Sequence, residues 1–142
     1  RQQVFLRGGE IEIEEASENR QLVDATVFDL FKAYQKILDS KSLEKDYEIE
    51  ITEMSVTDRI EYILNILNSS DSVTFESFFT VLNSKQEIIV TFLAILELMR
   101  LKLLRVQQSQ HFETIRIYKS ADEEMQDSIL QEYRRTLDED SR

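Results

Sequence analysis

His111 is the only histidine of this 142-residue chain, and cysteine is absent. An imidazole beside Phe112 and Glu113 could move a proton or hold a metal ion. A metal site needs several converging ligands, and no second imidazole or thiolate exists to supply them. Carboxylates are abundant, but they fall on charged runs and helix surfaces. A general acid needs a pocket that shifts its pKa, and nothing in the sequence marks one. Glycine occurs only at Gly8 and Gly9, without the spacing of a phosphate-cradling loop. The serines have no histidine at a recognisable partner position. No catalytic, cofactor-binding or metal-ligating residue is expected, and the chain does not read as an enzyme.

The elements that remain are built for packing. The chain lacks proline and tryptophan, and 42% of its residues are hydrophobic. So few turn residues disfavour an all-β sandwich and favour helices joined by short polar loops. No run of eighteen or more apolar residues suggests a membrane span, and no signal peptide opens the chain. Residues 10–20, "EIEIEEASENR", read as an exposed acidic linker. Val27, Phe28, Leu30, Phe31, Tyr34, Ile37 and Leu38 recur at helical spacing, which predicts an amphipathic helix over 24–39 with Asp24 as N-cap. "YEIEITEM", 47–54, alternates and is expected to be extended.

A second block follows. Ser55 with Asp58 resembles a capping box and opens a helix whose apolar face is Val56, Ile60, Ile63, Leu64 and Leu67. "NSSDS" at 68–72 ends it. Thr74 is the candidate cap of a short helix over 75–82. Ser84 and Glu87 form a further capping box before "EIIVTFLAILELMRLKLLRVQQ", residues 87–108, where thirteen of the seventeen residues from Ile88 to Leu104 are apolar. That predicts a helix over 85–101, apolar on most of its circumference. "LRVQQ" and "ETIRIYK" alternate on either side of "SQHF", the pattern of a hairpin. Ser120 and Glu123 are expected to cap an amphipathic segment over 121–137, before an acidic tail.

Helix, short helix, long helix, strand, loop, strand is the order of a winged helix. The fold class expected is mainly α with a small β-hairpin. A central segment, 1–54, precedes a winged-helix domain, 55–119, and a C-terminal helix and tail, 120–142.

Charge narrows the partners. Residues 1–54 hold 7 Lys/Arg against 13 Asp/Glu, residues 55–120 hold 7 against 7, and residues 121–142 hold 3 against 8. Nucleic-acid binding rests on cations that neutralise phosphates, so the balance argues against it. The long helix offers Lys85, Gln86, Arg100 and Lys102 at its ends and only the Thr91 hydroxyl in its middle. The wing adds Arg105, Arg116 and Lys119, a thin basic set. Apolar residues such as Ile95, Leu98 and Leu101 point either to a core or to a protein partner.

The pieces "VTFESFF", "EIIVTFLAILELMRL" and "VQQSQHFETIRIY", in that order and spacing, resemble the C-terminal winged-helix domain of segregation and condensation protein A, the bacterial kleisin. "VFLRG" and "ATVFDLFKAYQKIL" are similar to the family's central region. The resemblance implies a scaffold without ATPase activity that bridges two ATPase heads of an SMC dimer in chromosome condensation and segregation. Its C-terminal winged helix docks on the cap of one SMC head. Its central segment binds a dimer of segregation and condensation protein B. DNA is then met only indirectly, through the complex. No membrane partner and no cofactor are expected, and the location implied is cytoplasmic and nucleoid-associated.

The family's N-terminal helical domain, which binds the SMC neck, has no counterpart here. With Arg1 at the start, a C-terminal fragment is expected. Residues 121–142 depart from the family pattern. The cap surface implied is the end of the third helix and the wing: Leu98, Leu101, Leu104, Val106, Ile115 and Ile117. An open wing edge could also extend a partner's sheet. The central segment would use Phe5, Leu6, Phe28, Phe31, Tyr34 and Ile37. Two other readings compete. One is a winged-helix DNA-binding transcriptional regulator. The other is a helical module that dimerises through Phe28 and Phe31.

Overall fold

The computed structural model describes residues 22–41, 53–109 and 114–140. Strand β1 (Leu22–Asp24) leads into helix α1 (Val27–Ser40). Helix α2 (Glu53–Asn68) is followed by strand β2 (Val73–Thr74) and a 3-10 turn at Phe75–Phe78. Helix α3 (Lys85–Arg100), strands β3 (Leu104–Ser109) and β4 (Ile115–Lys119), and helix α4 (Glu123–Asp140) complete the order. The expected class, mainly α with a small β-hairpin, is the class observed.

Local chemistry sets the helix ends. Thr26, not Asp24, caps α1. Its hydroxyl accepts from the Asp29 amide at 3.1 Å, and the Asp29 carboxylate accepts from the Thr26 amide at 2.9 Å. Two orphan donors are thus satisfied reciprocally, while Asp24 is held in a strand opposite Gln107. Helix α2 begins at Glu53, so Ser55 lies within its first turn and not before it. The short helix expected over 75–82 is a 3-10 turn of four residues, and the Thr74 side chain makes no capping bond. Ser84 caps α3 by accepting from the Glu87 amide at 3.0 Å. Asp122, not Ser120, caps α4, accepting from the Met125 amide at 2.9 Å, and the expected acidic tail is helical to Asp140.

Helix α3 ends in a Schellman arrangement. The Leu103 amide reaches the Leu98 carbonyl at 2.9 Å, and the Lys102 amide reaches Met99 at 3.0 Å. Lys102 takes the left-handed position, with φ of 60°. Leu98 and Leu103 are both fully buried, supplying the apolar contact that accompanies this motif. The turn reverses the chain into β3 within three residues.

The wing is larger than a hairpin. The sheet has four strands in the order β1-β3-β4-β2, all antiparallel. β1 pairs with β3 through Leu22–Ser109, Val23–Gln108 and Asp24–Gln107. β2 pairs with β4 through Val73–Ile117 and Thr74–Arg116. Both outer sides of the hairpin are therefore partly occupied. The sheet's free edges belong to β1 and β2.

One buried cluster joins α1, α2, the 3-10 turn, α3, the sheet and α4. Ile60, Ile63 and Leu67 of α2, Ile88, Ile95 and Leu98 of α3, Phe75, Phe79 and Ile117 form its centre. This explains the helix that is apolar almost all round. Helix α3 packs against α2, α1 and the sheet, so most of its circumference is inside. Helix α1 contributes Leu30 and Ile37 to the same cluster and is pinned at its far end by Lys41. The Lys41 ammonium donates to the carbonyls of Leu82 at 2.8 Å and Thr80 at 3.3 Å.

Candidate functional site

Among the described residues no three His, Asp or Glu side chains group as metal ligands, and no helix is long and apolar enough to cross a membrane. His111, Glu113, Gly8, Gly9, the linker at 10–20 and most of 47–54 lie outside the described residues. A groove of about 440 Å³ runs between α2 and the start of α3, lined by Asp58, Arg59, Tyr62, Ser84, Gln86, Glu87 and Val90. Two of its three charged side chains pair with each other. Arg59 pairs with Glu87 at 3.3 Å and lies 5.2 Å from the Tyr62 ring, and the Ser84 hydroxyl is spent on its cap. No nucleophile meets a base there.

The surfaces fit contact with macromolecules better than chemistry. On α1, Val27, Phe28 and Phe31 are 54%, 65% and 42% exposed. They follow the helix at i, i+1 and i+4 and form an outward apolar stripe opposite Leu30 and Ile37. The Lys32 ammonium sits 4.9 Å from the centre of the Phe28 ring. Tyr34 is half-buried and stacks on Phe92 of α3, with centroids 4.2 Å apart and planes 10° apart. Burial pushes the Tyr34 phenol above its ordinary pKa, because the charged form is poorly solvated there. Of the residues expected in the central site, Phe28 and Phe31 are thus accessible, Tyr34 is half-buried, and Ile37 is core. Phe5 and Leu6 lie outside the described residues. Val27 was missed, although its position one turn before Phe31 puts it on the same face.

The expected cap residues are placed differently. Leu98, Leu104, Val106, Ile115 and Ile117 are buried. Only Leu101, at the turn from α3 to β3, stays half-accessible. The physical reason is the sheet's single covered face. Val106 and Ile117 sit opposite each other and point at the helices, as alternate residues of a one-sided sheet must. Their apolar alternation is a core signal, and no partner reaches these side chains without opening the fold. Ile95 is likewise buried.

The opposite face of the sheet carries the residues in between. Arg105 stands opposite Tyr118, and Gln107 stands opposite Arg116. The Arg105 guanidinium lies 5.0 Å from the centre of the Tyr118 ring. Arg116 donates twice to the Ser72 hydroxyl, at 2.8 and 3.0 Å. Lys102 and Lys119 are exposed at the end of the sheet nearest α3, and Lys119 stands opposite Leu104, in the alternation of the covered face.

Helix α4 lies antiparallel to α2 on a narrow contact. The amides of Asn68 and Gln126 exchange hydrogen bonds at 2.9 and 3.0 Å, and Gln126 also donates to the Ala121 carbonyl at 3.0 Å. Leu130 is buried, and Arg134 pairs with Glu61.

Residues 10–120 match the family described as "Segregation and condensation protein ScpA". Among curated proteins, segregation and condensation protein A of Listeria welshimeri is 37% identical over 94 residues, 63% of this chain and 37% of the relative. That of Bacillus subtilis is 32% identical over 106 residues, 72% of this chain and 42% of the relative. That of Brevibacillus brevis is 33% identical over 126 residues, 87% of this chain and 49% of the relative. The chain spans less than half the length of each. The match takes in every element from β1 to β4, and helix α4 falls beyond it. On that match the chain belongs to the segregation and condensation protein A family.

Proposed function

We propose that this chain is a non-enzymatic kleisin segment that joins two partners in chromosome condensation and segregation. One partner is an SMC ATPase head, which docks on the winged unit of α2, α3 and the sheet. The other is a segregation and condensation protein B dimer, which docks on the outward face of α1. The protein then acts on the nucleoid, in the cytoplasm. The observation that carries this reading is the family match across 10–120, together with three exposed apolar side chains, Val27, Phe28 and Phe31, beside one another on α1. Exposed apolar groups gathered on one face are what a protein partner covers. For the head contact, Leu101 is the accessible member of the expected set, so the contact would centre on the turn between α3 and β3.

Calorimetric titration with an isolated SMC head domain and, separately, with the protein B dimer tests this. Leu101→Glu is expected to weaken head binding more than 10-fold. Phe28→Glu with Phe31→Glu is expected to abolish binding of the dimer and to spare the head. Leu98→Glu is unsuitable, because it buries a carboxylate at a fully enclosed site and unfolds the chain. A folded chain that binds neither partner refutes the proposal. So does a mass above the monomer that Phe28→Glu abolishes, since it assigns the α1 face to self-association.

A further inference from the structure

The charge of this protein is segregated more sharply than its halves suggest. Residues 100–119 hold five lysines and arginines against one glutamate, in a chain whose net charge is −11. These twenty residues are the turn after α3 and the two central strands. The pleat divides them. Apolar side chains go inward, and Arg105, Gln107, Arg116 and Tyr118 go outward onto the sheet's opposite face. Asp24 is the one acidic position in register with that face, at its β1 side. Among the described residues Arg105, Arg116, Lys102 and Lys119 form no ion pair with a carboxylate.

The arrangement suits a row of phosphates. Arg105 and Arg116 are diagonal neighbours across an antiparallel pair, roughly 7–8 Å apart at the backbone, so each guanidinium can meet a different phosphate. Both are held in place, Arg105 against the Tyr118 ring and Arg116 on the Ser72 hydroxyl, which lowers the entropy lost on binding. Gln107 and Tyr118 add neutral donors between them. With both guanidiniums turned to phosphates, the contact positions the duplex without reading base edges and would be sequence-independent.

We propose that the outward face of the β3–β4 ribbon is a contact site for the phosphate backbone of duplex DNA. The choice of DNA over an acidic protein rests on the chromosomal reading of the preceding subsection; the charge complementarity stands without it. The site is weak by construction. Two phosphate contacts, from Arg105 and Arg116, give a salt slope of roughly −1.8 in log–log form, and the acidic remainder of the chain opposes approach. Such a contact matters when other interactions already hold the protein near DNA.

The test is fluorescence anisotropy of a labelled duplex of arbitrary sequence with the full chain, between 25 and 100 mM salt. The expected result is binding that falls with salt at a slope of roughly −1.8 and is indifferent to sequence. Arg105→Ala and Arg116→Ala should each reduce the slope by about one and weaken binding several-fold, with circular dichroism unchanged. Arg135→Ala on α4 makes the same charge change elsewhere and should leave the slope alone. Three results would overturn the proposal. These are no association at 25 mM salt, equal loss in the Arg135→Ala control, or displacement of the duplex by polyglutamate at matched charge concentration. The last would assign the face to an acidic protein. None of these measurements uses an SMC head, so failure here is separable from failure of the scaffold reading.

Discussion

Tyr34 of α1 and Phe92 of α3 stack face to face, 4.2 Å between centroids and 10° between planes. This pair, with Leu30 and Ile37, holds the helix that carries the exposed stripe against the winged unit. Aromatic pairs of this kind contribute ~0.5–1.5 kcal/mol beyond their buried area. The Tyr34 phenol is raised above 10.0 by burial, so the folded state keeps its proton longer than the unfolded state does. Below pH 10 this linkage costs nothing; above it, ionisation of the unfolded chain progressively lowers stability. Tyr34→Phe keeps the stack and should remove that alkaline component. Urea unfolding at pH 8 and pH 11 checks it: the mutant should lose less stability between the two than the parent.

The Thr26–Asp29 box makes the opposite prediction in acid. Asp29 is held below its ordinary value of 3.8, first by the hydrogen bond from the Thr26 backbone and then by the Thr26 hydroxyl. A depressed carboxylate contributes stability above its unfolded pKa and loses it as pH falls through the folded one. Thr26→Ala should cost ~1 kcal/mol at pH 7. It should also flatten the loss of stability below pH 4, as chemical denaturation at pH 7, 4 and 2.5 would record.

Thr91 presents a buried hydroxyl that has no hydrogen-bond partner among the described residues. An unsatisfied buried donor costs ~1–3 kcal/mol, and a side chain of the same shape without the hydroxyl removes that cost. Thr91→Val is therefore expected to raise stability by about 1 kcal/mol, read as an upward shift in thermal midpoint. A loss of stability would mean that the hydroxyl is satisfied in solution.

Helix α4 is held by the Asn68–Gln126 exchange, the buried Leu130, the partly buried Ile129 and Tyr133, and an exposed ion pair. Gln126→Leu leaves the Asn68 amide unpaired in a half-buried position, at a cost of ~1–3 kcal/mol. Because the contact is narrow, the effect should be local. Hydrogen exchange should accelerate along 123–140 while α3 amides stay protected.

Much of this fold was legible, and the misreadings share one cause. Periodicity marked α1, α2 and α3 and the two wing strands, because each has a face that only a core can accept. It could not register β1 and β2, which are three and two residues long and owe their existence to pairing with Ser109–Gln107 and Ile117–Arg116. Nor could it tell inward from outward among apolar residues. Leu104, Val106, Ile115 and Ile117 looked like a docking face because nothing in a strand pattern says which side is covered. On α1 the sequence grouped Phe28, Phe31, Tyr34 and Ile37 as one face, and only the fold separates them, burying Ile37 and half-burying Tyr34. The wing cations were visible as residues, but the register that sets Arg105 and Arg116 together on one face of the ribbon was not.

The central claim is that one chain carries two separate docking faces, on α1 and on the winged unit. Light scattering of an equimolar mixture of the chain, an SMC head domain and the protein B dimer, after size-exclusion separation, tests it most directly. The account predicts a single species whose mass contains all three, reduced to chain plus head by Phe28→Glu with Phe31→Glu. Head and dimer displacing one another, or both eluting apart from a folded chain, would contradict it.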